Sequence, residues 1–154
     1  MKRYTDETNR KKDAQLASLL QRRKAPLSSE AMTQMLEDLT WHMSGPVQFY
    51  CAVFPKEEAM LKDELDASDI EKVDIMYASD EERYFPVFTE LEKLQKFKPE
   101  LRDSEVICIT DKQDLLDFLH ANEKTAACVI NPYEDDLLLY RMHLANMIKV
   151  EKER

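Results

Sequence analysis

The stretch AACVINPYEDDLLLY, residues 126–140, has the clearest structural pattern in this chain of 154 residues. An apolar run is followed by Asn131 and Pro132, which favour a turn and do not continue a strand. Four more residues complete the turn before a second apolar run begins. We therefore predict a β-hairpin with strands at 126–130 and 137–140.

A second informative stretch, YFPVFTELEKL at residues 84–94, leads from a strand into a helix. Its first five residues favour a strand, and they follow an alternating run at 73–78 and a polar turn, so we predict another hairpin. Pro86 indicates an edge strand because proline cannot donate to the ladder. Thr89 and Glu92 have the spacing of a capping box, which predicts that a helix starts there.

The remaining patterns predict helices interspersed with strands. Two N-terminal helices come first, over residues 5–23 and 28–43, with Thr5 and Ser28 as their caps. The other predicted elements are a strand at 47–54, a charged excursion with a short helix at 56–71, a strand at 106–109, a helix opened by a Thr110–Gln113 capping box, and a helix at 141–151. The expected fold is α+β, with a mixed, largely antiparallel sheet with hairpins, flanked by helices and preceded by two N-terminal helices.

Charge is distributed unevenly along the chain. Residues 1–24 hold eight basic and three acidic side chains, whereas the remainder holds 14 basic and 28 acidic ones. We predict a basic N-terminal helical arm, residues 1–26, which either docks on the body or is mobile, and a single α+β domain, residues 27–154. The acidic body repels phosphates, so we expect no nucleic acid partner and fast encounter with basic proteins.

Two absences exclude whole classes of protein. No apolar run reaches the roughly 18 residues of a membrane span, and the first residues lack the apolar core of a secretory signal, so we expect a cytoplasmic protein. Glycine occurs once, at Gly45. Phosphate-binding loops, dinucleotide fingerprints and nucleophile elbows all need several glycines, so none of these is expected.

Cysteine and histidine give no sign of catalysis or metal binding. The three cysteines lie inside apolar runs, where we expect buried thiols in a reducing compartment; they are Cys51, Cys108 and Cys128. His42 and His120 are expected near helix ends, and His143 has no assigned role. None has metal-ligand spacing, so no metal, cofactor or catalytic residue is predicted.

The two quoted stretches together resemble the N-terminal domain of the SseB family, the enhanced serine sensitivity proteins of bacteria. The matching residues are Pro86, Val87, Phe88, Thr89, Glu92, Leu94, Val129, Ile130, Asn131 and Pro132. The similarity covers residues 46–149, apart from 56–71. This sequence departs from the family at the turn 79–83, which lacks the usual glycine. The resemblance implies an α+β fold and a bacterial cytoplasmic protein, and it implies no active site.

Five motif residues are the candidate binding residues: Tyr84, Phe88, Thr89, Asn131 and Pro132. They have a structural interpretation, as caps, turn residues and core. The functional alternative is that Thr89 and Asn131 line one pocket with the turn carboxylates Glu134, Asp135 and Asp136. We expect the structural interpretation, with no cleft there of the ~300 Å³ typical of ligand sites.

The expected function is a non-catalytic protein-binding or regulatory module of SseB type. Its partner would be another protein, met through an edge strand, and a homodimer is an open possibility. One alternative is an acidic, chaperone-like helper for a protein client. Another is a small thiol-dependent enzyme that uses Cys108 or Cys128. A paired-carboxylate hydrolase is disfavoured, because Asp111, Asp114 and Asp117 are spaced along one helix.

Overall fold

A computed structural model describes residues 1–8, 12–78 and 81–154 and shows an α+β fold. Its α-helices are α1 (Ala14–Arg23), α2 (Ser29–Met43), α3 (Leu91–Phe97), α4 (Lys112–Ala121) and α5 (Arg141–Glu153). Its strands are β1 (Lys2–Arg3), β2 (Phe49–Pro55), β3 (Ile70–Lys72), β4 (Met76–Tyr77), β5 (Arg83–Val87), β6 (Val106–Thr110), β7 (Ala127–Ile130) and β8 (Leu137–Tyr140). Short 3-10 turns lie at Asp6–Thr8, Glu57–Ala59 and Ala67–Asp69.

The strands form two four-stranded sheets. The first sheet has the order β1-β6-β2-β3 and is antiparallel throughout. The second sheet has the order β4-β5-β7-β8, in which β5 and β7 are parallel and the other pairs antiparallel. A two-way backbone bridge joins the sheets, since Tyr50 N donates to Phe88 O at 2.7 Å and Phe88 N to Tyr50 O at 2.8 Å. The predicted mixed, largely antiparallel pairing is confirmed, in two sheets instead of one.

The main core lies between the helices and one face of each sheet. Alternate strand residues point to it, including Phe49, Cys51 and Val53 of β2 and Phe85 and Val87 of β5. The helices cover this face with leucine and methionine, among them Leu16, Leu20, Met35, Leu39, Met43, Leu115, Leu119 and Leu144. A smaller core, formed by Tyr50, Phe88, Leu94 and Ile109, lies under α3 on the opposite face of the first sheet.

The prediction that Pro86 marks an edge strand is wrong. β5 lies inside the second sheet, and Pro86 is the ladder partner of Val129 in β7. On its other side β5 pairs with β4 at Tyr84 and Arg83 only. The sheet is therefore narrower at Pro86, which explains why an interior strand tolerates a residue without an N–H group.

The N-terminal segment differs from its prediction. Instead of one helix capped at Thr5, β1 pairs with β6, a 3-10 turn follows, and α1 begins at Ala14 with Asp13 as its cap. Residues 9–11 of the predicted helix lie outside the described residues. Three leucines of α1 are buried in the main core, so the segment docks on the body; they are Leu16, Leu19 and Leu20. The division at residue 26 stays a prediction.

Several element boundaries are confirmed and others move. Ser28 caps α2 and accepts from Ala31 N at 3.2 Å, as predicted. The predicted strand at 73–78 shrinks to β4, and the preceding excursion ends in β3, which pairs with β2; Ser79 and Asp80 of the turn lie outside the described residues. That excursion contains two 3-10 turns in place of a helix.

Both predicted capping boxes are wrong. Glu90 and not Thr89 is the N-cap of α3, and its side chain makes no capping bond. The Thr89 N–H, which Glu92 would accept in a capping box, donates to Asn131 Oδ1 instead. Asp111 caps α4 by accepting from Asp114 N at 2.9 Å, since β6 continues through Thr110. β6 therefore runs one residue further than its apolar residues indicate, whereas β5 ends at Val87, and in both cases the cap lies one residue later than predicted.

A charged cluster ties the start of the second sheet to the loop after α3. The Lys98 ammonium lies 2.5 Å from Asp74 Oδ2 and 2.6 Å from the fully buried Glu105 carboxylate, and Arg102 also contacts Asp74. Burial pushes the pKa of Asp74 upward, but the hydrogen bond and charge of Lys98 and the charge of Arg102 outweigh it, so this pKa lies below its ordinary value. Burial lowers the pKa of Lys98, but its two carboxylate partners hold it above its ordinary value.

We predict that Asp74→Asn destabilises the protein at neutral pH but not in acid. A carboxylate with a depressed pKa stabilises the fold above its unfolded pKa of about 3.9, and this contribution is lost as the pH falls through the folded value. Urea unfolding at several pH values should show a wild-type advantage of up to about 1 kcal/mol at pH 7 that shrinks below about pH 4. The control is Glu37→Gln, at an exposed residue that makes no ion pair with any described residue. A stability difference between wild type and Asp74→Asn that does not change with pH would contradict the assignment.

Candidate functional site

The structure brings Thr89 and Asn131 together at one end of the second sheet. Thr89 lies just past β5 and Asn131 just past β7, and these strands are parallel neighbours, so their carboxyl ends meet at the same edge. Thr89 N donates to Asn131 Oδ1 at 3.0 Å, and Asn131 Nδ2 donates to Thr89 Oγ1 at 3.0 Å. Asn131 N also donates to Val87 O at 2.9 Å. The two motifs of the resemblance therefore touch directly.

Asn131 also organises the turn that follows it. Its backbone is left-handed, with φ 50°, a conformation that asparagine tolerates better than most residues. Its carbonyl accepts from Asp135 N at 3.0 Å and Glu134 N at 3.1 Å, and its Nδ2 donates to Asp135 Oδ2 at 2.8 Å. The side chain thus uses its acceptor and both donor directions inside the protein, and Asn131 is 1% exposed.

Asp135 extends this network to the N-terminal segment. Its carboxylate lies 3.0 Å from Lys24 Nζ, and its carbonyl accepts from Arg23 Nη1 at 2.7 Å. Two cations of the basic arm therefore hold α1 against the turn of the predicted hairpin. We conclude that part of the positive charge near the N-terminus neutralises this buried carboxylate.

A small polar cavity of about 210 Å³ joins Thr89, Asn131, Glu134 and Asp135. Asp136 is not part of it, because its Oδ1 accepts from Tyr133 N at 2.8 Å within the turn. The charged groups of the cavity are paired: Lys93 Nζ lies 2.9 Å from Glu134 Oε1, and Lys24 holds Asp135. The alternative of a pocket shared by Thr89, Asn131 and the turn carboxylates therefore holds for two of the three carboxylates, and the cavity is smaller than the ~300 Å³ typical of ligand sites. Of the four residues Thr89, Asn131, Glu134 and Asp135, only Thr89 also lines a separate cleft of about 300 Å³. The sequence did not predict this cleft.

The other three candidate residues lie elsewhere. Phe88 packs in the smaller core against Phe97, with ring centroids 5.4 Å apart. Pro132 is buried in the turn. Tyr84 is half-buried and is the ladder partner of Met76 and Ala127. The five candidates do not form a single surface, and ligand binding by them stays a prediction.

The three thiols are buried and free, as predicted. Burial raises the pKa of Cys108 to about 11 and that of Cys128 to about 12. Burial, helped by the neighbouring Cys108, also raises the pKa of Cys51 well above its ordinary value. A thiol that stays protonated at neutral pH is a poor nucleophile, so the geometry gives no support to a thiol enzyme.

The histidines take structural positions. His42 and His120 lie in the last turns of α2 and α4, as predicted, and His42 Nε2 lies 2.7 Å from Asp13 Oδ2. His143 Nδ1 accepts from Tyr140 N at 3.2 Å at the start of α5. Within residues 1–8, 12–78 and 81–154 there is no group of three or more His, Cys, Asp or Glu residues arranged to hold a metal ion.

The structure reveals an apolar surface that sequence reasoning missed. On the face of the second sheet that points away from the main core, two cross-strand rows lie side by side, and we call them the outer face: Met76, Tyr84, Ala127 and Tyr140 in one row, Pro86, Val129 and Leu138 in the other. None of the seven belongs to either core cluster, and none is charged. Pro86, Ala127 and Val129 are buried, and the other four are half-buried. Because β7 and β8 are apolar on both faces, no alternation in the sequence separates this face from the core face.

Asn131 substitutions should separate its backbone and side-chain roles. Asn131→Gly keeps the left-handed backbone but leaves the Thr89 N–H without its acceptor and Asp135 Oδ2 without its amide donor, so we expect a loss of about 2–4 kcal/mol in urea unfolding. Asn131→Ala loses the same bonds and adds about 1 kcal/mol of backbone strain. Equal stability of the two variants, or no loss in either, would contradict this account.

The thiols should react with Ellman's reagent only when the protein unfolds. At pH 7.5 we expect slow labelling of native protein at the rate of unfolding, and complete labelling in guanidinium chloride, because the thiolate is both inaccessible and scarce. Mass spectrometry would identify each labelled cysteine. A native thiol that reacts within seconds would contradict the burial and raised pKa values.

In the described part of the chain no helix has both the length and the apolar character needed to span a membrane. In comparisons with protein-family models, with curated proteins and with solved structures, nothing matches this chain.

Proposed function

We propose that this protein is a non-catalytic, protein-binding module of the bacterial cytoplasm, of the type that the resemblance to the SseB family implies. The observation that supports this best is the outer face of the second sheet, which runs to an unprotected edge strand, β8. The partner we propose is an extended segment of a basic protein that adds a strand to β8.

The β8 edge differs from the other sheet edges among the described strands. β8 pairs with β7 alone, and its sequence LLLY contains no charge and no proline. Natural edge strands are usually guarded by charge, by proline or by extreme shortness. β1 consists of Lys2 and Arg3, β3 contains Glu71 and Lys72, and β4 has two residues. By this comparison, β8 is the edge best suited to accept a partner strand.

The outer face supplies specificity for such a partner. A strand added to β8 places alternate side chains beside Leu138 and Tyr140, which are half-buried. Ala127 and Val129, in the middle of the same apolar rows, are buried at 0% and 4% exposure, so the partner's side chains would contact Leu138 and Tyr140 and not the centre of the rows. A partner with alternate apolar residues would extend these rows while its backbone bonds to β8.

Electrostatics favours a basic partner. Beyond residue 24 the chain holds 28 acidic and 14 basic side chains, so the body attracts positive segments and speeds encounter. The same field repels phosphate backbones. The buried, protonated thiols and the saturated polar network at Asn131 further support binding over catalysis.

The test is Leu138→Lys, with Leu61→Lys as the matched control, since Leu61 is 96% exposed and lies on a different surface. The probe is a set of peptides selected on the full chain from a random-sequence library. We expect Leu138→Lys to weaken their binding at least about tenfold, or about 1.4 kcal/mol, and Leu61→Lys to leave it unchanged. Circular dichroism checks that both variants are folded.

Two further readouts identify the binding mode. Amide shifts on peptide addition should concentrate in β7 and β8. The peptide backbone can be N-methylated at either of two alternating sets of residues, and only one set should abolish binding, because strand addition uses every second N–H. If the protein forms concentration-dependent dimers and Leu138→Lys abolishes them, the partner at the β8 edge is a second copy of the chain. Peptides that bind both lysine variants equally, or shift residues elsewhere, would overturn the proposal.

A further inference from the structure

The direction of the backbone groups in β7 determines which groups of β8 are available to an added strand. Asn131, just past β7, donates from its N–H to Val87 O of β5 at 2.9 Å. The backbone groups of successive strand residues point alternately to one neighbouring strand and to the other. Those of Ile130 and Cys128 therefore point toward β8.

Two residues of β8 consequently direct their backbone groups away from β7. Leu137 and Leu139 are the ladder partners of Ile130 and Cys128 and bond to them. The N–H and C=O groups of Leu138 and Tyr140 therefore point outward. Just before β8, Asp136 has a left-handed backbone with φ 47°, which does not continue a strand. An added strand can pair with β8 only at these two outward positions.

The two outward positions differ, because a side chain of α5 already uses one of them. Tyr140 N donates to His143 Nδ1 at 3.2 Å, which agrees with its outward direction. Tyr140 is also the N-cap of α5, so its carbonyl accepts the first bond of that helix. No backbone hydrogen bond from a turn, loop or helix reaches Leu138 in the described part of the chain. A partner therefore meets an open position at Leu138 and an occupied one at Tyr140.

Three features make the contact between Tyr140 N and His143 Nδ1 easy to exchange. Its distance lies at the long end of the usual range for an N–H donor. The His143 side chain is exposed, and its ring meets the Tyr140 ring edge-on with centroids 5.7 Å apart. The Tyr140 backbone is extended, with φ −81° and ψ 167°. The carbonyl of an added strand can therefore replace the imidazole without a change in the Tyr140 backbone.

We propose that His143 regulates the β8 edge by occupying the Tyr140 N–H until the carbonyl of an added strand displaces it. We call this contact the His143 latch. The inference rests on the proposed function, since the partner is the same extended segment. A strand that pairs at Leu138 alone leaves the latch closed, whereas a strand that also reaches Tyr140 must open it. His143 thus weakens the binding of every partner that pairs along the whole edge.

The first measurement tests the latch without a partner. Native-state hydrogen exchange of the Tyr140 amide is compared in wild type, His143→Ala and His143→Gln. Glutamine at the third helical position accepts from the N-cap N–H in a capping box, so His143→Gln keeps an acceptor there. We expect the Tyr140 amide to exchange at least about fivefold faster in His143→Ala and at the wild-type rate in His143→Gln. Wild-type exchange of this amide in His143→Ala would overturn the inference.

The second measurement is the affinity of library-selected peptides whose addition shifts the Tyr140 amide. We expect His143→Ala to bind them about fivefold more tightly, because no hydrogen bond of the protein has to be broken first. His143→Gln should bind them as wild type does. The matched control is Asn146→Ala, an exposed change one turn further along α5, which should have no effect. Circular dichroism checks that all variants are folded.

The outcomes separate the latch from the proposed function. If His143 only helps to start α5, His143→Ala binds the peptides equally or more weakly, which overturns the latch and leaves strand addition at β8 intact. An equal gain in His143→Gln or Asn146→Ala also overturns the latch. If no selected peptide binds at β8 in wild type or in His143→Ala, both the proposed function and the latch are wrong.

Discussion

The carboxamide of Asn131 is the interaction on which the second sheet and its surroundings depend. It connects the ends of two parallel strands through Thr89, shapes the turn that leads to β8, and bonds to Asp135. The Asp135 carbonyl in turn accepts a hydrogen bond from Arg23, and its carboxylate pairs with Lys24; these two contacts hold α1 in place. A buried amide with all its bonds made stabilises one register and one turn, because any slip would leave several polar groups without partners.

The two sheets differ in how their faces are covered, and the proposed function follows from this difference. The first sheet packs against the main core on one side and against α3 and the smaller core on the other. The second sheet contributes one face to the main core, while its outer face contributes to neither cluster and ends at β8. Apolar rows beside an unguarded edge are the features that a strand-adding partner needs.

Local patterns predicted the elements that local interactions determine. The hairpin at 126–140, the Ser28 cap and the burial of the cysteines needed only turn chemistry and apolar runs. The failures came from distant partners. Thr89 looks like a cap until Asn131, 42 residues away, takes its N–H, and Pro86 looks like an edge residue until the length of β4 is known. The buried Thr110 hydroxyl, which has no hydrogen-bond partner among the described residues, has no sequence signal, because its burial depends on contacts between distant elements.

Native-state hydrogen exchange, residue by residue, is the most direct test of the central claim that polar groups at the strand ends hold the fold while β8 stays open. We expect the Thr89 and Asn131 amides to exchange only through global unfolding, with the same free energy as urea unfolding. Within Leu137–Tyr140, the amides that bond to β7 and the Tyr140 amide, which donates to His143, should be protected, whereas the remaining β8 amides should exchange quickly. Rapid local exchange at Thr89, or protection of all four β8 amides, would contradict the account.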